Sequence, residues 1–123
     1  MTYITNYATK PDGSAKFIGQ YAVPVDASLP LNTPLVVRLS LDRTTESGTL
    51  RYNCMDKASG VITDQSKTVT LTVTPTALRP ITLNAVEGTW NLTNVCVCTK
   101  TAWDTIVSTL PDQTFSGDTM PLT

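Results

Sequence analysis

No histidine occurs in the 123 residues. Its absence removes Ser-His-Asp and Cys-His catalysis, the commonest general base, and the usual zinc and iron ligand sets. Glutamate is nearly missing as well. Glu46 and Glu87 are the whole supply, both in expected turns, while Asp12, Asp112 and Asp118 stand beside Pro or Gly as turn formers. The paired carboxylates of a glycoside hydrolase are therefore not expected. The glycines are isolated, so no loop is built to cradle a phosphate. The chain reads as a non-enzyme with no catalytic residue, no metal, no cofactor and no small-molecule substrate. No stretch approaches the ~18 apolar residues of a membrane span. The start, Met-Thr-Tyr-Ile-Thr-Asn-Tyr, carries neither the basic residue nor the apolar block of a signal peptide, so neither membrane insertion nor Sec export is expected.

Cysteine is scarce and odd in number: Cys54, Cys96 and Cys98. That count argues against a disulfide framework and fits a reducing place of synthesis. Cys96 and Cys98, two apart on an expected strand, point the same way, and a bridge between them would be strained. All three read as buried thiols acting as small apolar side chains. Net charge is −1, too near neutral for bulk attraction to nucleic acid or membrane, although Arg38, Arg43, Arg51, Lys57, Lys67 and Arg79 crowd the middle of the chain.

What the sequence does have is threonine, 23 residues of it, with Thr68, Thr70, Thr72 and Thr74 in strict alternation. A branched Cβ fits the pleat and a hydroxyl tolerates water, so this composition signals sheet. Val69, Leu71 and Val73 fall on the opposite face from those threonines, one face buried and one wet. Leu35, Val37, Leu39 and Leu41 alternate in the same way, then a polar link ends in Ser47-Gly48, and Leu50, Tyr52 and Cys54 alternate again. The simplest reading is a two-armed hairpin with Arg38, Ser40, Arg51 and Asn53 on its polar face. Leu39, Leu71 and Val73 are expected in the core.

Pro11-Asp12-Gly13 suggests an N-terminal hairpin between Tyr3 to Thr9 and Lys16 to Val25, and Pro24 to Pro34 reads as a connection or an edge. Ile81, Leu83 and Ala85 alternate up to an expected turn at Glu87-Gly88. From Val95 to Cys98 both parities are apolar, which means two covered faces or a bulge near Asn94. Trp103, Ile106, Val107 and Leu110, at i, i+3, i+4 and i+7, predict one short amphipathic helix with Thr101 as N-cap and Pro111 as stop. Its stripe is a candidate packing or interface face. The expected fold is one domain over residues 1–123, mainly β, an antiparallel sheet or sandwich built of hairpins with a short helix near the C-terminus.

This order of hairpins, a basic polar sheet face and a terminal helix resembles the coat proteins of small single-stranded RNA bacteriophages, and more broadly the β-rich proteins that decorate phage capsids. The resemblance implies a self-assembling virion subunit, coat or decoration, made in a host cytoplasm and partnered by copies of itself and other capsid subunits. It also implies RNA as a partner, met by Arg38, Arg51, Asn53, Thr70 and Thr72. The competing reading is a secreted, non-enzymatic binding module, an adhesin or carbohydrate-binding β-sandwich. Trp90, Tyr3, Tyr7, Tyr21 and Tyr52 are then the candidate sugar platform.

Overall fold

The computed structural model describes residues 3–8, 15–105 and 119–121. Along the chain run β1 (Tyr3–Thr5), β2 (Ala15–Val23), β3 (Leu35–Arg43), β4 (Thr49–Cys54), β5 (Ala58–Ile62), β6 (Ser66–Val73), β7 (Ile81–Thr99), α1 (Lys100–Thr105) and β8 (Thr119–Pro121). The pairing is antiparallel throughout these strands, and the mainly β expectation with one short helix near the C-terminus holds.

The spine is β7, 19 residues long. Its first half, Ile81–Glu87, pairs with β4, and its second half, Trp90–Thr99, pairs with β3. Along its other edge β2 pairs with both halves, slipping register between Phe17 and Gly19. β5 extends the sheet beyond β4, and β6 extends it beyond β3. One half is therefore β5-β4-β7-β2 and the other β6-β3-β7-β2. Inward side chains of the first half (Leu50, Cys54, Ile62, Leu83) and of the second (Leu35, Val37, Leu39, Val95, Val97) join Trp90 in one buried cluster.

The corner between the halves is Gly88, whose φ of +88° lies where side chains are rarely tolerated. A Cβ there would stand 2.6 Å from Thr45 Oγ1 and 2.8 Å from the Ser47 carbonyl oxygen, so the 44–48 link passes directly over the corner. Arg43 secures that link: its Nε donates to the Thr45 carbonyl at 2.9 Å, Nη2 to the Glu46 carbonyl at 2.9 Å, and Nη1 to the Thr63 carbonyl. The expected turn at Glu87-Gly88 is thus a bend inside one continuous strand.

Two expected hairpins do not form. β3 and β4 are not partners, because both edges of β3 are taken, one by β6 and one by β7. In place of the N-terminal hairpin, β1 pairs with β8 and β2 with β7, leaving a single bridge between Ala8 and Val25. Asn6 fixes this N-terminal segment to β7. Its Nδ2 donates to the Val95 carbonyl at 3.0 Å, and its Oδ1 accepts from the amides of Val97 at 2.9 Å and Ala8 at 3.1 Å.

Both explanations offered for Val95 to Cys98 hold together. Val95 and Val97 face the core, Cys96 and Cys98 are buried on the opposite side, and the register shifts between Ser40 and Leu41, where Thr93 Oγ1 donates to the Ser40 carbonyl at 3.1 Å. Leu39 and Val73 are buried as expected, whereas Leu71 is only partly so because β6 is an edge strand. α1 starts earlier than expected: Thr99 Oγ1 accepts from the Ala102 amide at 3.1 Å, and Lys100 pairs with Asp104 at 2.5 Å. Trp103 is half-buried, and Ile106, Val107 and Leu110 lie outside the described residues.

The three cysteines are free and buried. Burial pushes the Cys54 thiol from 9.0 up to about 12. The Cys98 thiol is also raised, first by its hydrogen bond with Cys96 and then by burial. With the folded value above the unfolded one, the Cys54 contribution to stability is complete below about pH 9 and is lost as pH rises through about 12. Urea unfolding should therefore weaken along an alkaline limb of up to about 1.4 kcal/mol per pH unit for this site. Cys54→Ala should flatten that limb, and an unchanged slope in the variant would refute the assignment.

Candidate functional site

The residues expected to form one cationic face stand in different halves of the sheet. Arg38 and Thr70 are register partners in the β6-β3-β7 half, where Arg38 Nη1 donates to Thr70 Oγ1 at 2.9 Å, and Thr72 lies opposite Val36 on the same pair of strands. Arg51 and Asn53 belong to β4 in the other half, opposite Asn84 and Thr82 of β7. The arginines would have been brought together by a β3-β4 ladder, and that ladder does not exist.

What the fold assembles instead is a cleft of about 630 Å³ over the β2-β7-β4-β5 half. Two register rows cross its four strands. The first is Gln20, Asn84, Arg51 and Val61, and the second is Ala22, Thr82, Asn53 and Ser59. These positions alternate with the core residues Leu50, Cys54, Leu83 and Val23, so they project from the outer face of the sheet. The intervening row, Tyr21, Leu83, Tyr52 and Gly60, completes the lining. Gly60 is required there, since a Cβ would collide with the Tyr52 ring.

The polar equipment of this cleft is two amides from neighbouring strands (Gln20 and Asn84), a third amide (Asn53), two hydroxyls (Ser59 and Thr82) and one guanidinium. Asn53 Oδ1 accepts from the Asp56 amide at 2.9 Å, which orients the side chain. Apolar surface is supplied by Ala22 and Val61, and Val61 is 59% exposed. Sequence reasoning found Arg51 and Asn53 but missed Gln20, Thr82, Asn84 and Ser59. The available signal was the polar parity of Ile81 to Ala85, which pointed to a solvated face without saying which strands lay beside it.

The aromatic residues proposed as a sugar platform are placed differently from one another. Trp90 is fully buried, with Nε1 donating to the Glu87 carbonyl at 3.1 Å and the Arg43 guanidinium 5.8 Å from the ring centroid. Tyr7 packs against the core. Tyr21 stacks on Phe17 with centroids 5.3 Å apart, and Tyr21 and Tyr52, both half-buried, line the cleft. The Tyr3 side chain lies outside the described residues.

No family model and no curated protein matches the chain. Solved structures resemble it. The C-terminal CBM6 of LamC, a marine laminarinase from Zobellia galactanivorans, matches with a TM-score of 0.47 at 15% identity, over 80% of this chain and 98% of that one. A carbohydrate binding module, CBM6cm-2, from Cellvibrio mixtus lichenase 5A, solved in complex with cellotriose, matches with a TM-score of 0.42 at 13% identity, over 80% of this chain and 97% of that one. The expectation of a virion subunit with an RNA-binding face is corrected accordingly: the matching structures are carbohydrate-binding modules and not capsid proteins, and the hairpin meant to carry the RNA face does not form.

Proposed function

We propose that the chain is a non-catalytic carbohydrate-binding module, holding a glycan against the outer face of the β2-β7-β4-β5 half. The observation that carries this is the polar composition of the cleft. Amides and hydroxyls on adjacent strands offer donors and acceptors about 5 Å apart, the spacing of neighbouring strands, which suits the closely set hydroxyls of a sugar ring. Ala22 and Val61 offer contact for its C–H edges. No carboxylate stands among the lining residues, so the acid and base that glycoside hydrolysis uses have no place in the cleft, and the reading is binding alone.

The test is a glycan array probed with the wild-type chain and with an Asn53→Ala/Asn84→Ala double variant. Losing two side chains that hydrogen-bond the ligand should weaken binding by roughly tenfold or more. The melting temperature should change little, because both side chains project from the sheet surface. An array with no bound glycan, or a double variant that binds as the wild type does, would overturn the reading.

A further inference from the structure

We infer that the glycan taken by this cleft is acidic and that Arg51 is the residue that holds its carboxylate. This rests on the reading of the cleft as a glycan site. The chain has four arginines, and three are engaged. Arg38 bonds Thr70, Arg43 bonds the carbonyls of its link, and Arg79 pairs with Asp56 at 3.4 Å. Arg51 has no hydrogen bond or ion pair among the described residues, although it stands in the middle of a row inside the cleft. An acid to neutralise it is absent from the cleft lining.

The neighbours of Arg51 favour the same ligand. Asn53 has its oxygen committed to the Asp56 amide, so its Nδ2 is left as a donor. Asn84, directly across the ladder from Arg51, and Gln20 beyond it are likewise unengaged among the described residues, and each can turn an N–H toward an anion. The result is a cleft rich in donors around one positive charge. A guanidinium presents two parallel N–H groups in a plane, which matches the two oxygens of a carboxylate better than a tetrahedral sulfate ester. With a net charge of −1 the chain has no general attraction for polyanions, so recognition has to be local. A uronic acid residue within a sugar chain meets these requirements: hydroxyls for the amides and a carboxylate for Arg51.

The experiment is calorimetric titration of the full chain with trigalacturonate, its methyl ester, cellotriose and dextran sulfate, for wild type, Arg51→Gln and Arg51→Lys. Trigalacturonate should bind at least about tenfold more tightly than its ester, and Arg51→Gln should remove that advantage, as expected for a hydrogen-bonded charge. Arg51→Lys should recover only part of it, because an ammonium cannot make the paired contact. Equal affinity for acid and ester, or an Arg51→Gln variant that still prefers the acid, would overturn the inference and leave the glycan reading standing. Dextran sulfate binding as tightly as trigalacturonate would overturn carboxylate recognition. Binding of none of the four would overturn the inference and weigh against the glycan reading beneath it.

Discussion

Trp90→Ala is expected to cost about 3 to 5 kcal/mol, the range for emptying a large aromatic site in a close-packed core. Trp90 is fully buried and belongs to the cluster shared by both halves of the sheet. It sits two residues beyond the Gly88 corner, where it pairs with Phe17 on one side and Arg43 on the other. Removing the indole also releases the Glu87 carbonyl from its 3.1 Å bond and takes away the ring beneath the Arg43 guanidinium. At this chain length such a loss should lower Tm by roughly 10 to 20 °C. Trp90→Phe should retain most of the packing, losing the hydrogen bond and part of the volume. A melting temperature in Trp90→Ala within a few degrees of wild type would mean that the halves do not share a core through this residue.

Asn6→Leu should be nearly as damaging despite its similar volume. Asn6 is 3% exposed and is the single buried polar residue among those described. One amide satisfies the Val95 carbonyl, the Val97 amide and the Ala8 amide, completing a stretch of β7 that β2 does not reach. An apolar side chain would leave those three backbone groups buried and unpaired at about 1 to 3 kcal/mol each, less whatever relaxation recovers. A total of about 3 kcal/mol is expected in urea unfolding, together with faster hydrogen exchange at Val97 and Ala8. A change below about half a kcal/mol, the range typical of a surface substitution, would show that the N-terminal segment does not depend on Asn6.

These two residues mark where the sequence was legible and where it was not. Alternation in Leu35 to Leu41, Thr68 to Thr74 and Ile81 to Ala85 identified strands and their inward sides, since side-chain parity is a local property. Which strands become neighbours is not local. The link from Thr44 to Gly48 looks like a hairpin turn, but Arg43 and the Gly88 corner carry it across to the other half of the sheet. Glu87-Gly88 has turn composition yet serves as a bend within β7. With those two junctions misjudged, Arg38 and Arg51 were placed on one face, and the partners that Arg51 does have across its strands, Asn84 and Val61, were not foreseen. Asn6 carried no local signal, because its three partners are backbone groups, two of them roughly ninety residues away in sequence.

Backbone amide shifts of the labelled chain, titrated in turn with trigalacturonate and cellotriose, test the glycan-binding cleft most directly. Perturbations should gather on Gln20, Arg51, Asn53, Ser59, Thr82 and Asn84, four strands that only the folded sheet brings side by side. The β6-β3 pair around Arg38 and Thr70 should stay silent. Shifts centred on that pair, or no shifts with either sugar at millimolar concentration, would contradict the assignment of the cleft.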